Sequence, residues 1–275
     1  MILTARDLTF TFPRRPLIMG IINLVADSFS GDGLTDIALA LEKAHALVAD
    51  GADIIDIGAE SARTNRAAIP EAEEAAQLIR FIERWESPVP LSINTWRPGV
   101  ARAVLPRGGQ ILNDIGALPT DENARICADT GAALLIMHTI GEPKIPHTHI
   151  GYDDVLARLC AFFEEKLALA EKAGVHRDAT ILDPGIDFAK QRADNLRIYR
   201  ELEVLHRFAR PILLPVSRKT VIGEVLGVPA PERDAGTVAC IVAGMTRGAQ
   251  IFRVHNARAA AQAVATIHAV LSAPG

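Results

Sequence analysis

Short apolar runs alternate with longer amphipathic runs from Leu17 to the end of the chain, and this feature narrows the fold more than any other. Such alternation is the pattern of parallel strands joined by crossover helices. The strand-like runs are LIMGIIN ending at Asn23, DIIDIG at Gly58, PLSINT at Thr95, QILND at Asp114, ALLIMH at His138, TILDPG at Gly185, PILLPVS at Ser217 and IFRVH at His255. Between them lie runs such as IALALEKAHALVADGA, EAEEAAQLIRFIERW, VLARLCAFFEEKLALAEKAG and ARAAAQAVATIHAVL, whose apolar residues recur at three and four, the spacing of a one-sided helix. Eight strand and helix units predict an α/β chain closed into a single (β/α)8, or TIM, barrel, and 275 residues suit one such domain over residues 1–275. Ahead of Leu17, TFTF alternates until Pro13 interrupts it, which predicts a small hairpin across the bottom of the barrel.

Composition limits what such a barrel acts on. The 29 lysines and arginines stand against 33 aspartates and glutamates, a formal net charge of -4, so the chain lacks the basic footprint of a nucleic-acid binder and points to a small substrate. Apolar runs fall short of the roughly 18 residues that span a bilayer, and the opening MILTARDLTFTFPRRPL has neither the apolar stretch nor the cleavage site of a secretion signal. The expected location is the cytoplasm. Cys127, Cys160 and Cys240 lie far apart in apolar helical patterns, as small core residues do.

In this fold the chemistry sits at the C-terminal ends of the strands. Those ends carry Asn23, Asp56, Glu60, Asn94, Asn113, Asp114, His138, Asp183, Ser217, Arg218, Lys219, Arg253 and His255. Carboxylates and amides on the first six strands, with cations on the last two, suggest a ligand made of a donor-rich heterocycle and an anionic tail. Several of these residues also have plainer readings. Asp183 before Pro-Gly suits a tight turn, Asn113 and Asp114 suit a strand end, and His138 suits the core or the pocket wall. Arg253 and His255, two apart on one face of a strand, suit a phosphate. His147 and His149 share that spacing but lie in a loop without a third ligand, and read as solvent-facing. Ala260, Val264, Ile267 and Leu271 form a helical stripe that reads as core or dimer surface.

Taken in order, longer motifs carry a resemblance. The run Met19 to Gly33, MGIINLVADSFSGDG, and the run Asp53 to Arg63, DIIDIGAESAR, are followed by SINTW, ILNDI, LLIMHTIGEPK, ILDPGIDFAK, VSRKTVIGEVLG, ERDAGTVA and FRVHNA. The set resembles the dihydropteroate synthase family, whose first two signatures read MGILNVTPDSFSDGG and D(I/L)IDIGGESTR, over about residues 8 to 270. The resemblance implies a cytoplasmic transferase of folate biosynthesis, a sulfonamide target and homodimer, that joins 6-hydroxymethyl-7,8-dihydropterin diphosphate to p-aminobenzoate and releases diphosphate.

Matching positions imply three subsites. Asp183, Asn113, Asn94 and Lys219 would hold the pterin, with the Asp183 carboxylate accepting from its 2-amino and N3 edge. Asn23, Arg63, Arg253 and His255 would hold the diphosphate, Asn23 being the one protein ligand of a bridging Mg2+. Arg63, Phe188, Ser217 and Lys219 would receive p-aminobenzoate beside the first two loops. Lys219, Arg253 and His255 are the residues implied in catalysis, as fixed cations that stabilise charge on the departing diphosphate. The chain departs from the family pattern at Val25, Ala26, Ala59, Ala62, Asn94, Asp187, Ala189 and Pro215. These departures raise a second reading, a diverged paralogue that binds pterin with little or no synthase activity. A pterin-dependent methyltransferase shares the barrel and the Asp/Asn pocket, but the SRK and RVH motifs disfavour it, because a methyl carrier has no diphosphate to hold.

Overall fold

The structure is a computed structural model that describes residues 1–24, 33–60, 68–145 and 150–273. A hairpin of β1 (Ile2–Ala5) and β2 (Leu8–Thr11) comes first, and the strands β3 (Leu17–Asn23), β4 (Ile54–Gly58), β5 (Leu91–Asn94), β6 (Ile111–Asp114), β7 (Ala133–Met137), β8 (Thr180–Asp183), β9 (Leu213–Pro215) and β10 (Ile251–Val254) follow. Each strand from β3 to β8 feeds one helix, in order α1 (Gly33–Ala49), α2 (Glu71–Ile82), α3 (Pro98–Val104), α4 (Glu122–Thr130), α5 (Val155–Lys172) and α6 (Arg192–Arg200). Two helices, α7 (Thr220–Leu226) and α8 (Asp234–Thr246), follow β9, and α9 (Ala257–Leu271) follows β10.

The eight later strands form one parallel sheet in the order β8, β7, β6, β5, β4, β3, β10, β9. Its two outer strands meet through a parallel bridge between Leu182 and Ile212, with the Leu182 amide donating to the Pro211 carbonyl at 2.9 Å. The sheet is thereby a barrel, as the alternation of strand and helix patterns predicts. Strand side chains alternate between two faces, so each strand serves two cores. Ile55, Ile57, Leu112, Leu134, Ile136, Leu182, Leu214 and Phe252 pack outward under the helices. Leu17, Met19, Ile54, Ile111, Ala133, Leu135, Met137, Ile181, Leu213 and Ile251 pack inward.

Helix limits follow local chemistry. Asp154 accepts from the amides of Leu156 at 2.9 Å and Ala157 at 3.1 Å, capping α5, and Asn256 accepts from Ala259 at 3.1 Å to cap α9. Gly131 ends α4 in the left-handed region at φ 72°. The α9 stripe divides along its length: Ala260 and Val264 are buried against the barrel, while Leu271 is 60% exposed.

The hairpin closes the bottom of the barrel. Leu3, Ala5 and Phe12 join the inward-facing cluster, so apolar side chains seal the end opposite the polar strand ends. Arg6, at the turn, fixes the hairpin to the loops beneath β6 and β7: its amide donates to Gly131 O at 2.7 Å and its Nε to Gly109 O at 2.8 Å. Leu3→Ala, which opens a void under a fully buried side chain, is expected to destabilise the fold by about 2 to 5 kcal/mol, measured by urea denaturation.

Candidate active site

The inward face of each strand changes character on the way up. Ile54 gives way to Asp56, Ile111 to Asn113, Ile181 to Asp183, Ile251 to Arg253, and Ser92 to Asn94, each two residues on and therefore on the same face. An apolar floor is thus overlaid by a polar layer at the C-terminal ends of the strands. His255 continues the β10 column to the exposed mouth, and Asn23 ends the inward face of β3 there.

The centre of that layer is Asp56, fully buried on β4. Its Oδ1 accepts from Ser92 Oγ at 2.6 Å and Asn113 Nδ2 at 3.1 Å. Its Oδ2 accepts from Asn94 Nδ2 at 3.4 Å and from both Nε and Nη2 of Arg253 at 2.7 Å. Asn94 and Asn113 are register partners across β5 and β6, and the side-chain oxygens of both are buried without a hydrogen-bond partner among the described residues. Asp114 faces the other way, accepting from the Gly116 amide at 2.8 Å and Asn123 Nδ2 at 2.8 Å.

Asp183 sits across the barrel on β8, 3% exposed, and accepts from the Gly185 amide at 2.7 Å. Burial pushes its carboxyl up to about 6, against the pull of that amide and of the nearby charges of Lys219, Lys190 and Arg253. Lys219 donates to the Ile186 carbonyl at 2.7 Å and lies 5.0 Å from the centre of the Phe188 ring. Its neighbour Arg218 turns away to Asp234, Nε to Oδ1 at 2.8 Å. On the rim, Ser217 Oγ accepts from the His255 amide at 3.2 Å and lies 2.9 Å from His255 Nδ1.

The turn after β8 is held by Lys190, a residue to which the sequence motifs assign no role. Lys190 is buried, and its Nζ lies 2.9 Å from His138 Nδ1 while donating to the carbonyls of Gly185 and Phe188 at 3.0 Å each. Burial lowers the lysine to about 7, and burial together with the charges of Lys190 and Arg158 lowers His138 to about 2, so the imidazole is neutral and accepts a hydrogen bond from Lys190 at Nδ1. His138 is therefore a packed anchor and not part of the pocket wall. Gly185, at φ 69°, passes so close to the His138 carbonyl that a Cβ there would lie 2.0 Å from its oxygen.

Glu60, two residues beyond β4, draws three donors to one carboxylate. It accepts from the Ile69 amide at 2.7 Å and pairs with Lys144 at 2.5 Å and Arg97 at 3.6 Å. Arg63, Val25, Ala26, Ala62, His147 and His149 lie outside the described residues. The layer of Asp56, Asn94, Asn113, Asp183 and Arg253 is brought together by the strands, with Lys219, Phe188, Ser217 and His255 above it. Arg253 differs from the sequence expectation in one respect: part of its guanidinium is committed to Asp56. Asp56 itself was legible only as a polar strand end, because a sequence does not reveal that one carboxylate takes donors from strands so far apart.

A TIM barrel with amide and carboxylate acceptors inside its C-terminal mouth and cations at the rim defines a site for a small, donor-rich and anionic ligand. Known proteins agree with that class. The family model described as "Pterin binding enzyme" matches residues 19–255. A dihydropteroate synthase of Escherichia coli (strain K12) is 36% identical over 263 residues, covering 94% of this chain and 93% of its own. Among solved structures, a Xanthomonas albilineans dihydropteroate synthase with 4-aminobenzoic acid superposes with a TM-score of 0.90 at 35% identity, covering 99% of each chain. A Yersinia pestis dihydropteroate synthase in complex with a sulfonamide drug gives 0.91 at 36% identity, covering 99% of this chain and 100% of that one. The chain belongs to the dihydropteroate synthase family of pterin-binding enzymes.

Two departures from the family pattern, Asp187 and Ala189, lie in the loop after β8. Asp187 at φ 68° and Ala189 at φ 50° take the left-handed backbone that glycine adopts without cost. Asp187 offsets this with its side chain, which accepts from the amides of Thr220 and, at 3.2 Å, Val221 in the first turn of α7. Its own amide donates to Asn195 Oδ1 at 2.9 Å.

The raised carboxyl of Asp183 makes a stability prediction of definite sign. A group whose folded pKa lies near 6, above its unfolded value near 4, resists being charged in the fold, so its effect is absent below about pH 4 and destabilises progressively as pH rises to about 6. Asp183→Asn is therefore expected to stabilise the free protein at pH 7 by about 1 to 3 kcal/mol, with the gain vanishing near pH 4, as urea denaturation at the two pH values would show.

Proposed function

We propose that this chain is a working dihydropteroate synthase, in which the acceptor layer inside the barrel holds the pterin and the cationic rim holds the diphosphate. One observation carries the reading: two buried amide oxygens without partners and a buried carboxylate occupy one layer, on the side of the barrel mouth that Lys219, Arg253 and His255 enclose. Buried acceptors of this kind are unfavourable unless a ligand brings donors. The 2-amino and N3 edge of a pterin brings them to Asp183, and Asn94, Asn113 and Lys219 address the rest of the ring.

In the reaction the amine nitrogen of p-aminobenzoate bonds to the pterin methylene, the methylene C–O bond breaks, diphosphate leaves with that electron pair, and the amine gives up a proton. Arg253, held at one edge by Asp56, and His255, held by Ser217, present fixed positive or donor groups where charge accumulates on the leaving diphosphate. Groups fixed beforehand need no reorganisation during bond breaking. Phe188 and Ser217 flank the place where p-aminobenzoate would lie, and Arg63 belongs to the same subsite and to the diphosphate. Burial of the polar layer excludes water from the electrophilic methylene.

A divalent cation fits this arrangement in a limited way. No cluster of three or more histidine, cysteine, aspartate or glutamate side chains among the described residues would hold a metal. Mg2+ instead takes few protein ligands and shares phosphate oxygens, and Asn23, exposed at the mouth on the inward face of β3, suits that habit. When bound, the ion would supply charge neutralisation to the diphosphate. We propose further that the enzyme is a single-domain homodimer in the cytoplasm. The exposed Val225, Leu226, Val270 and Leu271 support a partner surface, and no helix among the described residues is long and apolar enough to cross a membrane.

Asn94 favours the second reading, a pterin-binding paralogue, because an amide carries no negative charge to a developing cation. Diphosphate release from the pterin substrate separates the two. Release that depends on p-aminobenzoate and matches dihydropteroate formed is the expected result, whereas pterin binding without release would establish the paralogue. Lys219→Met is expected to raise the pterin substrate KM by about tenfold to a hundredfold, corresponding to about 1.5 to 3 kcal/mol for a hydrogen bond from a charged group, with steady-state kinetics as the measurement.

A further inference from the structure

We propose that Asp234, at the start of α8, is a positioning residue that holds the ends of β9 and β10 in one relative placement. It thereby sets the spacing between Lys219, which addresses the pterin, and His255, which addresses the diphosphate, for a substrate that spans both. The inference rests on the two-subsite reading of the site and gives a task to the run ERDAGTVA, which that reading leaves without one.

Lys219 and His255 lie just beyond two adjacent strands. In the register of β9 and β10, Pro215 pairs with Arg253, which sets Ser217 opposite His255, and Ser217 Oγ accepts from the His255 amide at 3.2 Å. The next residue on each side, Arg218 and Asn256, turns to Asp234. Asp234 Oδ1 accepts from Arg218 Nε at 2.8 Å, and Oδ2 accepts from Arg218 Nη2 at 3.2 Å and from Asn256 Nδ2 at 3.1 Å. Arg218 precedes Lys219 and Asn256 follows His255, so one carboxylate grips the chain neighbours of both. The hydrogen bond from Arg218, opposed by burial and aided by that from Asn256, holds the carboxyl below its ordinary range and so keeps it charged.

The residues beside Asp234 hold the same turn. Arg218 lies at φ 55°, a left-handed conformation that side chains other than glycine's disfavour. Thr237 Oγ1 accepts from its amide at 3.0 Å, and Arg233 Nη1 donates to the carbonyls of Arg218 at 3.2 Å and Lys219 at 3.1 Å. A Cβ on Gly223 would fall 2.1 Å from the Arg233 guanidinium, so α7 is pared to admit it. Arg233 and Thr237 secure the β9 end, and Asp234 extends that hold to β10. Asn256 is fixed for its part, since its Oδ1 accepts from the Ala259 amide at 3.1 Å as the cap of α9, which leaves its NH2 for Asp234. The double grip needs two acceptor oxygens. An amide at position 234 has one, and its NH2 would face that of Asn256. A ligand that spans two subsites gains from their fixed spacing as an effective concentration, whereas its separate halves gain nothing from it.

Calorimetry with Mg2+ present tests this on three ligands: 6-hydroxymethyl-7,8-dihydropterin, inorganic diphosphate, and the joined compound with a methylene in place of the ester oxygen, which cannot release diphosphate. The product of the two separate dissociation constants, divided by that of the joined compound, is the effective concentration of one half beside the other. In Asp234→Asn each half should bind within about threefold of the wild type, while the effective concentration falls by about tenfold. Asn256→Asp keeps an acceptor for the α9 cap but repels Asp234, and should show the same fall of about tenfold. The double variant Asp234→Asn with Asn256→Asp exchanges donor and acceptor across the contact and should return the value to within about threefold of the wild type. A role in stability alone would lower the urea midpoint and leave the effective concentration of both single variants at the wild-type value. That result, or a double variant no better than the single ones, would overturn the proposal. Should Asp234→Asn fail to fold, Asn256→Asp and the double variant decide. A wild type that binds the joined compound no more tightly than its pterin half would instead overturn the two-subsite reading on which the proposal stands.

Discussion

A charged carboxylate inside a protein is tolerated only where its lone pairs are taken and its charge is met, since desolvating an unpaired ion costs several kcal/mol. Asp56 satisfies that condition by drawing on Ser92 and Asn94 of β5, Asn113 of β6 and Arg253 of β10. No local segment of chain can provide these four partners together. The sheet order β6, β5, β4, β3, β10 and its curvature bring these strands to one layer, so the same interaction that offsets the burial of the charge also ties together the polar floor. The unpartnered oxygens of the two asparagines are the counterpart of that arrangement, because every donor turned inward leaves an acceptor turned out.

The fold was largely legible in the sequence because its signal is periodic. Runs of four to seven apolar residues can be read one at a time, and the helices at Val155–Lys172 and Ala257–Leu271 coincide with the amphipathic runs that announce them. The hairpin at Ile2–Thr11 was legible for the same reason, through alternation and a proline. The candidate site was legible as a roster of strand ends, since polar residues closing apolar runs stand out. Its wiring was not. That Arg253 faces Asp56, that His138 accepts from Lys190, and that Asp114 faces Asn123 are consequences of which strands become neighbours and of where each side chain finds a partner. Periodicity tells which face a residue occupies, and leaves open what it meets there.

The loop after β8 places residues other than glycine at backbone angles that glycine adopts most readily. Asp187 and Ala189 occupy backbone angles that favour glycine, and each such residue costs on the order of 1 to 2 kcal/mol. Lys190 gathers three carbonyls and an imidazole around its ammonium, and Tyr152 donates to the Ala189 carbonyl at 2.7 Å, so the loop is held from two sides. The Asp187 carboxylate adds a third hold on the first turn of α7, next to Lys219. Side-chain contacts hold these angles in place. The physical result is that Asp183, Phe188 and Lys219 are set by one connected unit.

The contact between Arg253 and Asp56 joins residues 197 positions apart. During synthesis β4 emerges first with its carboxylate, and the guanidinium that meets it is added 197 residues later. Until then Asp56 lacks its cationic partner, and β3 lacks its neighbour β10. Long-range closure of this kind is slow, because loop entropy is lost before the contacts that offset it form. A nascent chain cut short before β10 can therefore be rich in secondary structure while lacking the cation that completes the polar layer.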